Sequence, residues 1–379
     1  MKERFLGNSN PENEKRLNEW LITYTRSSLK ILYNAGFSRH FFIPLFKPGK
    51  SRDIFRTFVQ NTEPMQNLRI VFMGTPDFAT ESLKALLNAG ANIAGVITAP
   101  DKPAGRGRKL KPSPVKDFAV ENGLTVLQPE KLKDPGFLEE LKSLQADLQV
   151  VVAFRMLPEV VWNMPPKGTF NLHASLLPAY RGAAPINWAV INGEKKTGVT
   201  TFFLKHEIDT GDIIFQEEVS ISKNDNAGTV HDKLMEVGAR LVVKTVEAVA
   251  SDNIKPVPQP QKELKPAPKI FKEDCRIDWN TESEKIHNLI RGLSPYPAAW
   301  TDMILPDGTI TSVKIFETEE NDSDGLKAGE IYSDNKKLIL AGTTNGALKI
   351  HELQVAGKKR MKTEDFLRGH KLEAGARFE

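Results

Sequence analysis

The chain has 379 residues, room for two or three domains. With 40% hydrophobic and 26% charged residues it has an ordinary globular balance, and no apolar run is long enough to cross a bilayer. The single cysteine, Cys275, excludes an intramolecular disulfide and fits a reducing, cytoplasmic compartment. The net charge of +4 is uneven: residues 1–64 hold eleven Lys/Arg against six Asp/Glu, so a nucleic-acid partner has to be argued from local basic clusters.

Residues 1–66 read as an N-terminal extension, poorly ordered or owed to a mis-assigned start, since Met65 opens "MQNLRIVFMGTPDF". Within the extension, Leu17, Trp20, Leu21, Tyr24 and Leu29 share one side of an amphipathic stretch. A secretory apolar core is missing, and Glu12, Glu14 and Glu19 argue against an organellar leader.

From Leu68 the pattern becomes α/β. "LRIVFM" is the continuous apolar run of a buried parallel strand, and "ATESLKALLNAG" is an amphipathic helix stopped by Gly90. "NIAGVIT", "GLTVLQP" and "DLQVVVAF" add strands, separated by helical stretches 114–122 and 135–145. The alternation predicts a doubly wound, mainly parallel, Rossmann-like sheet over residues 67–250, with ligands at the carboxyl ends of its strands. "GVTTFFL" and "GDIIFQEEVSI" read as two more strands around the turn "KHEIDT", followed by a long helix from Gly228 to Val249. Residues 251–270 are rich in Pro and Lys and read as an extended linker. Residues 271–379 give one helix and then short strands separated by Gly/Asp/Asn turns, which predicts a small OB-like β-barrel.

The first βα loop, "GTPDFA", lacks G-x-G-x-x-G, and no acid closes the second strand before Asp101, which speaks against a dinucleotide enzyme. The segment "FNLHASLLPAYRGAAP" is more informative. Asn171 and His173 stand two apart at a strand end, so both leave the same face. A carboxamide donor beside an imidazole suits a reaction that builds an oxyanion and moves a proton. Asp209, in "HEIDTGDII", falls in a turn of the same sheet, where a carboxylate can orient an imidazole and relay a proton. Taken singly, each is an ordinary strand-end or turn residue. Their shared placement favours a site.

The loop from Lys102 to Lys116 carries Lys102, Arg106, Arg108, Lys109, Lys111 and Lys116 with no acid before Lys116, and Gly105 and Gly107 loosen it. In isolation it is a solvated loop; beside a site it becomes a phosphate-tracking arm. The tail adds Lys358, Lys359, Arg360, Lys362, Arg368 and Lys371. The seven His and one Cys show no metal-ligand spacing, so no metal is expected.

"MGTPDFA", "PDKPAGRGRKLKPSPVK", "NLHASLLPAYRGAAPINWAV" and "IDTGDI" resemble the methionyl-tRNA formyltransferases, within the wider family of formyltetrahydrofolate-using enzymes. The resemblance runs from about Leu68 to near the C-terminus. It implies a transfer of the formyl group of 10-formyltetrahydrofolate to the α-amine of initiator methionyl-tRNA, a monomer, and no membrane partner. By the same resemblance Asn171, His173 and Asp209 match the catalytic Asn, His and Asp. Ser175, Leu176, Leu177 and Pro178 match the loop lining the folate site. Arg106, and with it Arg108, Lys109 and Lys111, match the loop that meets the tRNA acceptor end. Two stretches depart from the family pattern. "FRMLPEVVW" is one residue shorter, with Arg155 where Gly is common, and "KHEI" replaces an acidic, Gly-containing stretch before Asp209; His206 there reads as a surface turn residue. Two alternatives stay open: a formyltransferase acting on a small amine, and a non-catalytic RNA-binding protein on the same scaffold.

Overall fold

The computed structural model describes residues 65–104, 109–260, 265–323 and 325–379. The expectations for the extension, apart from its last two residues, lie outside the described residues. Met65 is buried in the larger hydrophobic cluster.

Strand β1 (Arg69–Gly74) shows why the sheet is covered on both sides. Successive side chains leave opposite faces, so Ile70 and Phe72 enter one hydrophobic cluster and Val71 and Met73 the other. Helix α1 (Asp77–Asn88) buries Phe78, Ala79, Leu83 and Leu86 at helical spacing. It ends before Gly90, whose φ of +82° suits glycine. Next come β2 (Asn92–Ile97), a hairpin of β3 (Lys102–Ala104) and β4 (Lys109–Lys111), helix α2 (Pro114–Glu121), β5 (Val126–Leu127), helix α3 (Pro135–Ser143) and β6 (Leu148–Val152). Both helices start as their sequences dictate: Ser113 and Asp134 accept from the amides of Lys116 and Phe137, each with proline in the following position.

The chain continues through α4 (Glu159–Trp162), β7 (Thr169–His173), β8 (Arg181–Gly182), α5 (Pro185–Ile191), β9 (Lys196–Phe203), β10 (Ile213–Ser220) and the long helix α6 (Ala227–Ala250). Asn226 and Thr229 cap α6 reciprocally. The sheet order is β10-β9-β7-β6-β1-β2-β5. The five strands from β7 to β5 are parallel, and β9 and β10 add an antiparallel edge. The chain runs outward from β1 to β5, then returns to β6 on the other side. The carboxyl ends flanking this reversal form the crevice where α/β sheets take ligands. The expected fold is therefore found, with β5 reduced to two residues and the basic loop opening as a hairpin.

The second half holds β11 (Pro266–Ala267), helix α7 (Ser283–Leu293), then β12 (Ala299–Ile304), β13 (Ile310–Asn321), β14 (Ile331–Ser333), β15 (Ile339–Gly342), β16 (Ala347–Val355), β17 (Met361–Lys362), helix α8 (Thr363–Gly369) and β18 (Arg377–Phe378). Strand β11 pairs with β8, while strands β12 to β18 form one antiparallel sheet in the order β14-β15-β16-β13-β12-β18, with β17 paired to β16 off this path. It closes nearly to a barrel: Phe378 N donates to Gly329 O at 2.7 Å and Ile331 N to Ala376 O at 3.1 Å, bringing β18 beside β14. Helix α7 plugs it with Ile286, Ile290 and Leu293. The same helix lies against α5. A Cβ on Gly292 would stand 2.8 Å from the Ile191 amide nitrogen, so only glycine permits this approach. Asn187 Nδ2 donates to Gly292 O at 2.8 Å, and Arg291 Nη1 reaches Asp225 O at 2.9 Å.

Candidate active site

Strand β7 sets the site. Phe170 and Leu172 point into the larger core, so Asn171 and His173 leave the opposite face together, as their spacing requires. Asn171 is half-buried, and among the described residues nothing hydrogen-bonds its carboxamide. His173 is only 6% exposed. Its Nε2 donates to Tyr180 O at 2.8 Å, and its Nδ1 stands 3.8 Å from Asp209 Oδ2. Acceptors therefore stand on both sides of the ring. The Asp209 separation exceeds a direct hydrogen bond but lies within ion-pair reach.

Each partner is held in turn. Asp209 has φ +54° and Tyr180 φ +61°, left-handed conformations that side chains avoid unless their surroundings fix them. Gly182 N donates to Asp209 Oδ2 at 3.0 Å. The Asp209 turn is closed by Lys205 Nζ to Asp212 Oδ1 at 2.8 Å and by Phe203 N to Asp212 O at 3.0 Å. Tyr180 Oη donates to Glu194 Oε1 at 2.5 Å, and Lys265 Nζ reaches the same oxygen. Burial, and then Glu194, push the Tyr180 phenol up, so it stays a donor. Burial alone would raise Glu194, but Lys265 and Tyr180 outweigh it and hold the carboxyl down.

In the Ser175–Pro178 loop the polar atoms hold the loop itself. Ser175 Oγ donates to Ala179 O at 2.7 Å, Leu177 N donates to Thr200 Oγ1 at 3.2 Å, and Gln216 Nε2 donates to Leu177 O at 2.8 Å. Ser175 and Leu177 are buried, whereas Leu176 and Pro178 are partly exposed. Arg155 donates to the carbonyls of Pro129 and Glu130, bridging the loops after β6 and β5. His206 is exposed, as a surface turn residue should be.

Arg106 and Arg108 lie outside the described residues. Of the basic loop, Lys102 and Lys111 are exposed, while Lys116 is bound to Asp101 Oδ2 at 2.6 Å. Of the tail, Arg360 pairs with Glu352 and Arg368 with Asp365; among the described residues Lys358, Lys359, Lys362 and Lys371 have no acidic partner. Among the described residues no group of three or more His, Cys, Asp and Glu is placed to hold a metal ion, and no helix is long and apolar enough to cross a membrane.

Residues 251–270, a linker by composition, supply contacts that the sequence concealed. Val257 bridges to Ile213, Lys265 O accepts from Tyr180 N at 2.6 Å, and β11 pairs with β8. Gln259 binds the Asp209 turn and Arg181. Prolines forbid a helix or a long ladder here but allow a strap of isolated contacts. No local periodicity reports such contacts.

A family model described as formyl transferase matches residues 68–246, and one described as formyl transferase, C-terminal domain, matches residues 269–371. The chain belongs to the formyl transferase family. It is 60% identical over 321 residues to the methionyl-tRNA formyltransferase of Phocaeicola vulgatus, covering 83% of this chain and 99% of that one. To the methionyl-tRNA formyltransferase of Bacteroides thetaiotaomicron it is 57% identical over 315 residues, 82% of this chain and 98% of that one. Among solved structures, HypX from Aquifex aeolicus in complex with tetrahydrofolic acid superposes with a TM-score of 0.56 at 20% identity, over 81% of this chain and 48% of that one. At that identity the likeness speaks for the formyl transferase fold alone.

Proposed function

We propose that the chain transfers the formyl group of 10-formyltetrahydrofolate to the α-amino group of initiator methionyl-tRNA, the formylation step that precedes translation initiation. The similarity to enzymes of that name, over 82% and 83% of this chain, carries this reading. The chemistry is acyl transfer. The amine attacks the formyl carbon, a carbon–nitrogen bond forms, and the oxygen takes up negative charge. The bond to N10 then breaks, and the amine's proton goes to the departing nitrogen.

Asn171 and His173 supply donors to the developing oxyanion, each contributing about 10²–10³ in rate as such donors usually do. Nδ1 is the ring nitrogen left for this work, because Nε2 is held by Tyr180 O. Asp209 stabilises the imidazolium and relays the proton. The loop Ser175, Leu176, Leu177 and Pro178 forms part of the folate wall, with Leu176 and Pro178 as its accessible surfaces. Arg106, Arg108, Lys109 and Lys111 track the acceptor-end phosphates. The barrel would meet the tRNA through Lys358, Lys359, Lys362 and Lys371, which among the described residues have no acidic partner.

His173→Ala tests the reading. Turnover should fall by about 10² or more while tRNA affinity stays as in the wild type. Wild-type turnover in that variant would remove His173 from the chemistry.

A further inference from the structure

Gln259 is half-buried in a stretch whose neighbours are nearly all exposed. Its amide is fully committed. Nε2 donates to Asp209 O and to Gly211 O, both at 2.8 Å. Oε1 accepts from Arg181 Nε at 3.1 Å and Nη2 at 2.6 Å. Chemistry fixes this orientation: the two carbonyls can only accept and the guanidinium can only donate. A flipped amide would lose all four bonds.

The four bonds join the two supports of one carboxylate. Asp209 holds a left-handed backbone at φ +54°, and Gln259 grips its carbonyl together with that of Gly211 in the same turn. The other end grips Arg181, the residue before Gly182, whose amide binds Asp209 Oδ2 at 3.0 Å. Gln259 is itself placed by the Val257 bridge, with Ile213 N donating to Val257 O at 2.8 Å and Val257 N to Ile213 O at 2.9 Å.

We infer that Gln259 is a positioning residue for formyl transfer, acting through Asp209 to hold its carboxylate opposite His173. The inference rests on the role given to Asp209 under Proposed function. It differs from a general stabilising role in one respect: the effect on turnover must vanish once the Asp209 charge is gone.

A kinetic double-mutant cycle on the full-length chain tests it, using Gln259→Leu, Asp209→Asn and the double variant with charged initiator tRNA and 10-formyltetrahydrofolate. Gln259→Leu should lower kcat about tenfold or more, with both KM values within about twofold of wild type. In the Asp209→Asn background it should change kcat by less than about twofold, the signature of coupled residues. Should the Leu variant be recovered unfolded, Gln259→Glu carries the same cycle, since it keeps the side-chain length and the Arg181 pairing while losing both donors. A wild-type kcat for the Gln259 variant, or an equal loss in both backgrounds, would overturn the inference while leaving Asp209 its role. Wild-type turnover in Asp209→Asn alone would overturn both.

Discussion

The amide of Gly182 donates to the carboxylate of Asp209 at 3.0 Å, tying the loop after β7 to the turn between β9 and β10. The same loop gives Tyr180 O to His173 Nε2, so both groups facing the imidazole depend on residues 180–182. Gly182 has φ +125°, and a Cβ there would stand 2.4 Å from Ala267 O on the strap. Gly182→Ala should therefore push the strap away and tilt the Asp209 carboxylate. The expected result is a loss of about 1–3 kcal/mol in stability together with reduced kcat, read by thermal unfolding and steady-state kinetics.

Asp209→Asn separates charge from scaffold. Asn tolerates the left-handed backbone and keeps an oxygen for the Gly182 amide, so the melting temperature should stay close to wild type. Turnover should still fall by about 10²–10⁴, because a neutral amide neither stabilises an imidazolium nor takes up a proton.

Replacing Arg106, Arg108, Lys109 and Lys111 by alanine should raise KM for tRNA and leave KM for the folate co-substrate unchanged. The salt dependence of tRNA binding should flatten, the log–log slope falling by roughly 0.7–0.9 for each phosphate contact removed. Titration of binding against potassium chloride measures this directly.

Asp225 gives a pH dependence with a defined sign. Burial alone would raise its carboxyl, but Lys233, the Ser222 amide and the Thr229 hydroxyl outweigh that and hold it down at about 2. A carboxylate depressed on folding contributes stability fully above its ordinary range near about 4, and loses it as pH falls through the folded value. Its backbone carbonyl also accepts from Arg291 of the barrel plug, so acid should loosen the junction with α7. The stability gap between wild type and Asp225→Asn should be present at pH 5 and shrink away as pH approaches 2, measured by urea unfolding across that range.

The parts of the fold legible in the sequence were those with strong local periodicity. β1 announces itself as a continuous apolar run and β6 as a valine-rich one, and α3 as a helical stretch between strands. The pairing of Lys102–Ala104 with Lys109–Lys111 was hidden because charge and glycine masked any strand pattern. Helix α8 was hidden because seven residues give barely two turns of periodicity. In the candidate site, the shared face of Asn171 and His173 was readable from their spacing of two along a strand. Gln259 was not, since its partners Asp209 and Arg181 lie 50 and 78 positions away, and a single amide among prolines carries no pattern.

The most direct measurement is a formylation assay on the purified full-length chain with 10-formyltetrahydrofolate and charged initiator tRNA, run beside a glycinamide ribotide control. The proposed reading expects formylmethionine on the tRNA and an unmodified ribotide. A formylated ribotide with an untouched tRNA would contradict it.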